Sequence, residues 1–86
     1  PIQEPTMIDL IKRLENGERS NKLDVLIEVA LFTPDDTTFD AVPNAAGTKV
    51  VYANRDGSFS THWARDWSLC PAETIAILKA TDTGRE

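Results

Sequence analysis

Apolar positions recur at helical spacing in three stretches of the chain and at strand spacing in a fourth. Ile8, Leu10, Ile11 and Leu14 follow Thr6, a capping residue with Asp9 three positions on, and Gly17 supplies a stop. This predicts a helix over about residues 7 to 16. Leu23, Leu26, Ile27, Ala30 and Leu31 then fall at i, i+3, i+4, i+7 and i+8 behind Ser20, with Asp24 and Glu28 on another face. A second helix is expected over about 21 to 31, capped by the Ser20 hydroxyl. Pro71 suits the first turn of a third helix, carried by Ala72, Ile75, Ala76 and Leu78 over about 71 to 80 until Thr81-Asp82-Thr83-Gly84. Its buried stripe is read as Ile75 and Leu78 with Ala72 or Ala76.

The strand signal lies between the helices. Thr48 to Ala53 is rich in β-branched and aromatic residues, Asn54-Arg55-Asp56-Gly57 is turn chemistry, and Ser58 to Trp63 resumes the pattern. An antiparallel hairpin follows. Val50 and Tyr52 alternate with Val51 and Ala53, so one sheet face packs on helices and the other is less buried or covered by something further. Residues 33 to 47, with Pro34, Asp35, Asp36 and Pro43, read as a mobile acidic loop holding at most one short edge strand near Phe39.

The fold class is therefore α+β: a small α-α-β-β-α layered domain with its hairpin packed on helices. One domain is expected over 7–81, with residues 1–6 an N-terminal extension or expression remnant and 82–86 a frayed tail. At 86 residues and 41% hydrophobic content the chain builds one core. A core of that size gains from self-association, so a homo-oligomer is expected.

Charge and cysteine usage narrow the partners. Fourteen carboxylates against nine basic side chains give a net charge of -5, which repels phosphate backbones. Lys12, Arg13, Arg19 and Lys22 are interleaved with Glu15 and Glu18, a mixed-charge surface rather than a nucleic-acid site. No apolar run approaches the ~18 residues of a membrane span and no signal-peptide pattern is present, so no membrane partner is expected. A single cysteine, Cys70, makes no internal disulfide and points to a reducing compartment.

Residues 60 to 71 hold both tryptophans, the one histidine and the one cysteine, with Arg65 and Asp66 between the rings. His62 and Cys70 match no zinc-ligand spacing, the four glycines form no phosphate loop, and the loop aspartates read as solvated, so neither enzyme, metal nor cofactor is expected. Cys70 reads as a small buried thiol at the start of the third helix. Trp63 and Trp67 share a face if the segment is a helical turn and oppose each other if it is extended. Sharing a face, with Arg65 and His62 nearby, they could clamp a base; alternatively, one tryptophan seals the hairpin and Arg65 pairs with a carboxylate. Trp67, Arg65, His62 and Trp63 are the binding candidates, with Trp63 placed last because it also reads as a core or lid residue.

The order of a helix, a Leu23-Asp24-x-x-Ile27 helix, a variable loop, a strand pair ending at a tryptophan and a Pro71-Ala72-x-x-Ile75-Ala76-Ile77-Leu78-Lys79-Ala80 helix resembles small proteins of tailed bacteriophages. It is similar in particular to the phage ABA-sandwich type of domain over about residues 7 to 80. That family's Tyr-Ser/Thr-x-Asp-Ile-Ala-like stretch has no counterpart here. The resemblance implies a helix-sheet-helix layered fold, a phage origin and action in the host cytoplasm, with no catalytic residues to carry over. Two functions are expected from it and from the Trp/Arg segment. One is binding and inhibition of a host protein, such as one of antiviral defence. The other is a homo-oligomeric sponge for a small nucleotide ligand, a second messenger of a bacterial defence system.

Overall fold

The computed structural model describes residues 6–83. Three helices, α1 (Met7–Glu15), α2 (Asn21–Leu31) and α3 (Pro71–Thr83), accompany three strands, β1 (Thr38–Pro43), β2 (Val50–Asn54) and β3 (Phe59–His62). The domain is α+β, with element order α-α-β-β-β-α.

Local chemistry sets the helix ends where the sequence places them. The Thr6 hydroxyl accepts from Asp9 N–H at 3.1 Å while the Asp9 carboxylate accepts from Thr6 N–H at 3.1 Å, a reciprocal capping box. At the other end Glu18 N–H donates to Arg13 C=O and Gly17 N–H to Leu14 C=O, the Schellman arrangement. Gly17 takes a φ of 87°, which a residue with a Cβ reaches only under strain. Arg13 then closes on Glu18 as a salt bridge. For α2 the Ser20 hydroxyl accepts from Leu23 N–H at 3.1 Å.

Helix α2 is the centre of the molecule because it is apolar on two sides. Leu23 and Ile27 join Met7, Leu10, Ile11 and Leu14 of α1 and Leu78 of α3 in one buried cluster. Val25 packs instead with Ala41 and Val50, with Val29, Phe32 and Tyr52 around them. A helix with two apolar faces belongs between layers. The layers are therefore α1 and α3, then α2, then the sheet. The helix-sheet-helix order implied by the phage resemblance is not the order seen, since Val42, Thr61 and Trp63 on the far side of the sheet are exposed.

Two boundaries and one buried stripe differ from the sequence reading. The loop at 33–47 contains a full strand, β1, paired antiparallel to β2 in a sheet of order β1-β2-β3. The edge strand allowed near Phe39 is thus present and longer than the reading as a mobile acidic loop gave it, because Pro34 and the aspartates sit in the approach, where Asp35 caps the turn by accepting from the Thr37 and Thr38 N–H groups. Helix α3 continues through Thr83, so 82 and 83 are helical rather than a frayed tail; residues 84–86 lie outside the described residues, as do 1–5 of the N-terminal extension. Its buried positions are Thr74 and Leu78, with Ile75 half-buried against the α1–α2–α3 cluster and Ala72 and Ala76 exposed. Thr74 is tolerated inside because its hydroxyl donates to Trp67 C=O at 2.7 Å.

The turn carboxylates make stability acid-sensitive. Backbone or hydroxyl donors lower the pKa of Asp9, Asp35 and Asp56, and the Arg13 guanidinium lowers that of Glu18. A depressed folded-state pKa gives a contribution present above the unfolded-state value and lost as pH falls through the folded one. Thermal melts should therefore be flat from neutral pH down to about pH 5 and decline below it. Asp9→Asn and Asp35→Asn together should flatten that decline.

Candidate functional site

The β2–β3 turn fixes which side chains share a face. Gly57 N–H donates to Asn54 C=O at 3.1 Å and Asn54 N–H to Ser58 C=O at 2.9 Å, with Gly57 at a φ of 92°. This three-residue loop with a glycine bulge sets the register Ala53–Phe59, Tyr52–Ser60, Val51–Thr61 and Val50–His62. Opposed residues point the same way, so Val50, Tyr52, Ser60 and His62 face α2 and Val51, Ala53, Phe59 and Thr61 face away. On β1, Val42 pairs with Val51 and joins the outer set.

Continuing the register by one step opposes Lys49 to Trp63. The Lys49 ammonium lies 4.6 Å from the centre of the Trp63 ring, as that step requires. Trp63 is 68% exposed, Phe59 73% and Val42 46%. These three, with half-buried Val51 and Ala53 between them, form an apolar face rimmed by Lys49 and Asp40. Trp63 is thus not the core or lid residue the sequence suggested: extended backbone carries its side chain to the side of the sheet away from the helices.

Trp67 sits on the other side, where it holds the fold together. After Trp63 the chain passes Glu28 and then Asp24 of α2 and makes a single 3-10 turn, Trp67–Leu69, before α3. Asp24 and Glu28, one helical turn apart on α2, anchor that segment. The Glu28 carboxylate accepts from Trp67 Nε1–H at 3.1 Å and from Arg65 N–H at 3.2 Å, and Asp24 accepts from Ser68 N–H at 2.8 Å. Asp24 is buried, and the Trp67 ring packs on the α1–α2–α3 cluster. The two carboxylates read from sequence as a separate polar face are a ledge that pins 65–69. Nothing in their spacing alone reveals it, because their donors lie about 40 residues on in the chain.

Of the remaining candidates, Arg65 lies at this ledge and His62 lies beside Tyr52. Arg65 is exposed, with its guanidinium carbon 5.8 Å from the centre of the Trp67 ring, and no side-chain ion pair forms between it and Asp66. His62 is exposed at the end of β3, its ring 5.7 Å from that of Tyr52. Burial raises the Tyr52 pKa above 10.0, helped by the Glu28 charge and opposed by that of Arg65. Tyr52 and His62 border an open groove of about 280 Å³ with Phe32, Asp35, Thr38 and Asn54. Polar groups there largely satisfy one another: Thr38 donates to Asn54, and Asn54 donates to the Ser58 and Ser60 hydroxyls.

So the structure places Arg65 and Trp67 together at the Glu28 carboxylate and His62 beside Tyr52 on the helix side of the sheet, and sets Trp63 apart from them. Cys70 is exposed rather than buried. Its carbonyl accepts from Thr74 N–H at 3.1 Å, so the backbone at this position begins α3 while the thiol stays in solvent. Among the described residues no hydrogen bond joins Cys70 to His62, and no three His, Cys, Asp or Glu side chains converge as metal ligands. Among them, too, no helix is long and apolar enough to cross a membrane.

The residues that sequence reasoning missed are Phe59, Val42 and Lys49. Counting outward from the Asn54–Gly57 turn finds Phe59 and the Lys49–Trp63 pair, but whether that face is covered is a tertiary property. No family model, curated protein or solved structure matches the chain.

Proposed function

We propose that this chain is a non-catalytic binding protein that docks a partner protein on the helix-free face of its sheet. One observation carries the reading: Trp63, Phe59 and Val42 share an uncovered face in a domain that already has two packed clusters on its other side. Exposed aromatics grouped with aliphatic residues and rimmed by charge are the composition of an interaction surface. The complementary partner surface is apolar at its centre and carries a carboxylate to meet Lys49. The Lys49 ammonium over the indole keeps the tryptophan in one orientation before contact, which lowers the ordering cost of docking. Together with the resemblance to small phage proteins, the reading extends to inhibition of a bacterial host protein in the host cytoplasm.

The geometry favours this over a nucleotide clamp. A clamp built from Trp63 and Trp67 needs both rings on one face, and they lie on opposite sides, with the Trp67 Nε1–H already given to Glu28.

Affinity capture from bacterial lysate with wild type, Val42→Asp and Arg65→Ala separates the two faces. A protein captured by wild type and Arg65→Ala but lost with Val42→Asp is the expected result. Equal capture by wild type and Val42→Asp, with loss on Arg65→Ala, would move the site to the Trp67 side.

A further inference from the structure

The sheet has two outer strands, and the chain protects only one of them. On β1, Pro43 has no N–H, the Ala41 N–H is taken by the Asp40 carboxylate at 2.8 Å, and the ladder is irregular between Thr38 and Asp40. Missing donors, a self-satisfied donor and a bulge all hinder pairing with another chain. Strand β3 has none of these. Phe59-Ser60-Thr61-His62 contains no proline, lysine or carboxylate, and its register against β2 is unbroken.

The ladder also shows which of its backbone groups are unused. Asn54 and Ser58 form a bonded pair across the turn, so by alternation the Tyr52–Ser60 and Val50–His62 pairs exchange the next bonds. The N–H and C=O groups of Phe59, Thr61 and Trp63 therefore point outward, away from β2.

We infer that β3 pairs antiparallel with β3 of a second copy of this chain, about a twofold axis at Thr61, joining the two three-stranded sheets into one. The register follows from the outward groups. Setting Thr61 against the second copy's Thr61 places Phe59 against the second copy's Trp63, twice, on the helix-free face. Ser60 then meets the second copy's His62 on the helix side. A slip of two residues in either direction sets Thr61 against Trp63 or against Phe59 and leaves both aromatics on each chain without an aromatic partner. Thr–Thr and aromatic–aromatic pairs are favoured cross-strand neighbours, and no like-charged carboxylates or ammonium groups oppose each other. The two most exposed aromatic side chains, Phe59 at 73% and Trp63 at 68%, thereby acquire one another as partners.

This association does not rest on the docking reading. An axis perpendicular to the sheet leaves the apolar face open, so the pair would present a face twice as wide, with two aromatic pairs at its centre.

Sedimentation equilibrium of the purified chain over a concentration series tests the inference, with Thr61→Pro and Thr61→Lys as variants. The Thr61 N–H makes no bond to β2, so proline there removes only the outward donor, and lysine places two ammonium groups on the axis without changing the backbone. Wild type is expected at twice the chain mass and both variants at the chain mass, with circular dichroism unchanged for Thr61→Lys. Amide exchange at Phe59, Thr61 and Trp63 should be slow in wild type and fast in Thr61→Lys. A wild-type monomer throughout the series would overturn the inference. So would a dimer that survives in both variants, or one whose Thr61 amide exchanges freely.

Discussion

Trp67→Ala should lower the free energy of unfolding by about 3 kcal/mol, the low end for removing a tryptophan from a core, while Trp63→Ala changes it by less than about 0.5 kcal/mol. The ring of Trp67 packs on the cluster shared by α1, α2 and α3, and its Nε1–H holds Glu28. Truncation opens a cavity there and releases one of the ties between α2 and the 65–69 segment. Trp63 contributes little because 68% of it is already in solvent, with the Lys49 ammonium 4.6 Å from the centre of its ring. In a domain of this length the Trp67 loss corresponds to a fall in melting temperature of roughly 15 °C. Urea and thermal unfolding at chain concentrations where sedimentation shows the monomer, followed by circular dichroism, read both variants. Trp67→Phe, which keeps most of the apolar contact and loses the hydrogen bond, should fall between them. Equal effects from Trp63→Ala and Trp67→Ala would show that the two rings are not divided between surface and core.

Binding should show the reverse order. Trp63→Ala should weaken capture of the partner protein by about 2 to 4 kcal/mol, a loss of roughly 30-fold to 1,000-fold in affinity. An interface centre is where truncating a tryptophan costs most, since the large apolar face is fully desolvated there and few rotamers are lost on docking. Lys49→Ala should cost less, about 0.5 to 1 kcal/mol, through the lost cation–π contact and the lost rim charge. Titration calorimetry at chain concentrations where sedimentation shows the monomer keeps self-association out of the measured constant. An unchanged affinity for Trp63→Ala would remove this face from recognition.

Most of the helical framework is legible in the sequence because its determinants are local. Thr6 with Asp9, Gly17, and Ser20 act within a single turn, and each appears in the structure in the role its chemistry dictates. The hairpin is legible for the same reason, since Asn54 to Gly57 sets the turn and the turn sets the register. Strand β1 is harder to see. Its alternation is broken where the register shifts between Thr38 and Asp40, and Pro43 ends it with a residue usually counted against strands.

The reversal of the two tryptophans has a different cause. Periodicity identifies which residues lie on one face of an element but not which face meets another layer. The α2 helix settles that here, because Val25 and Val29 give it a second apolar side and draw Val50 and Tyr52 toward it. Trp63, one step beyond His62, must then point away. Trp67 is drawn inward by Asp24 and Glu28, two carboxylates whose amide and indole donors lie far away in the sequence. Thr74 follows the same logic: a polar residue in a buried stripe becomes intelligible only once the Trp67 carbonyl is known to lie above it.

Chemical-shift mapping of the isotope-labelled chain against its captured partner tests the placement of the site most directly. The expected footprint covers Val42, Val51, Thr61 and the Trp63 indole, with the Trp67 indole signal unmoved. A footprint on His62, Arg65 and Trp67 that leaves the Trp63 indole unchanged would contradict it.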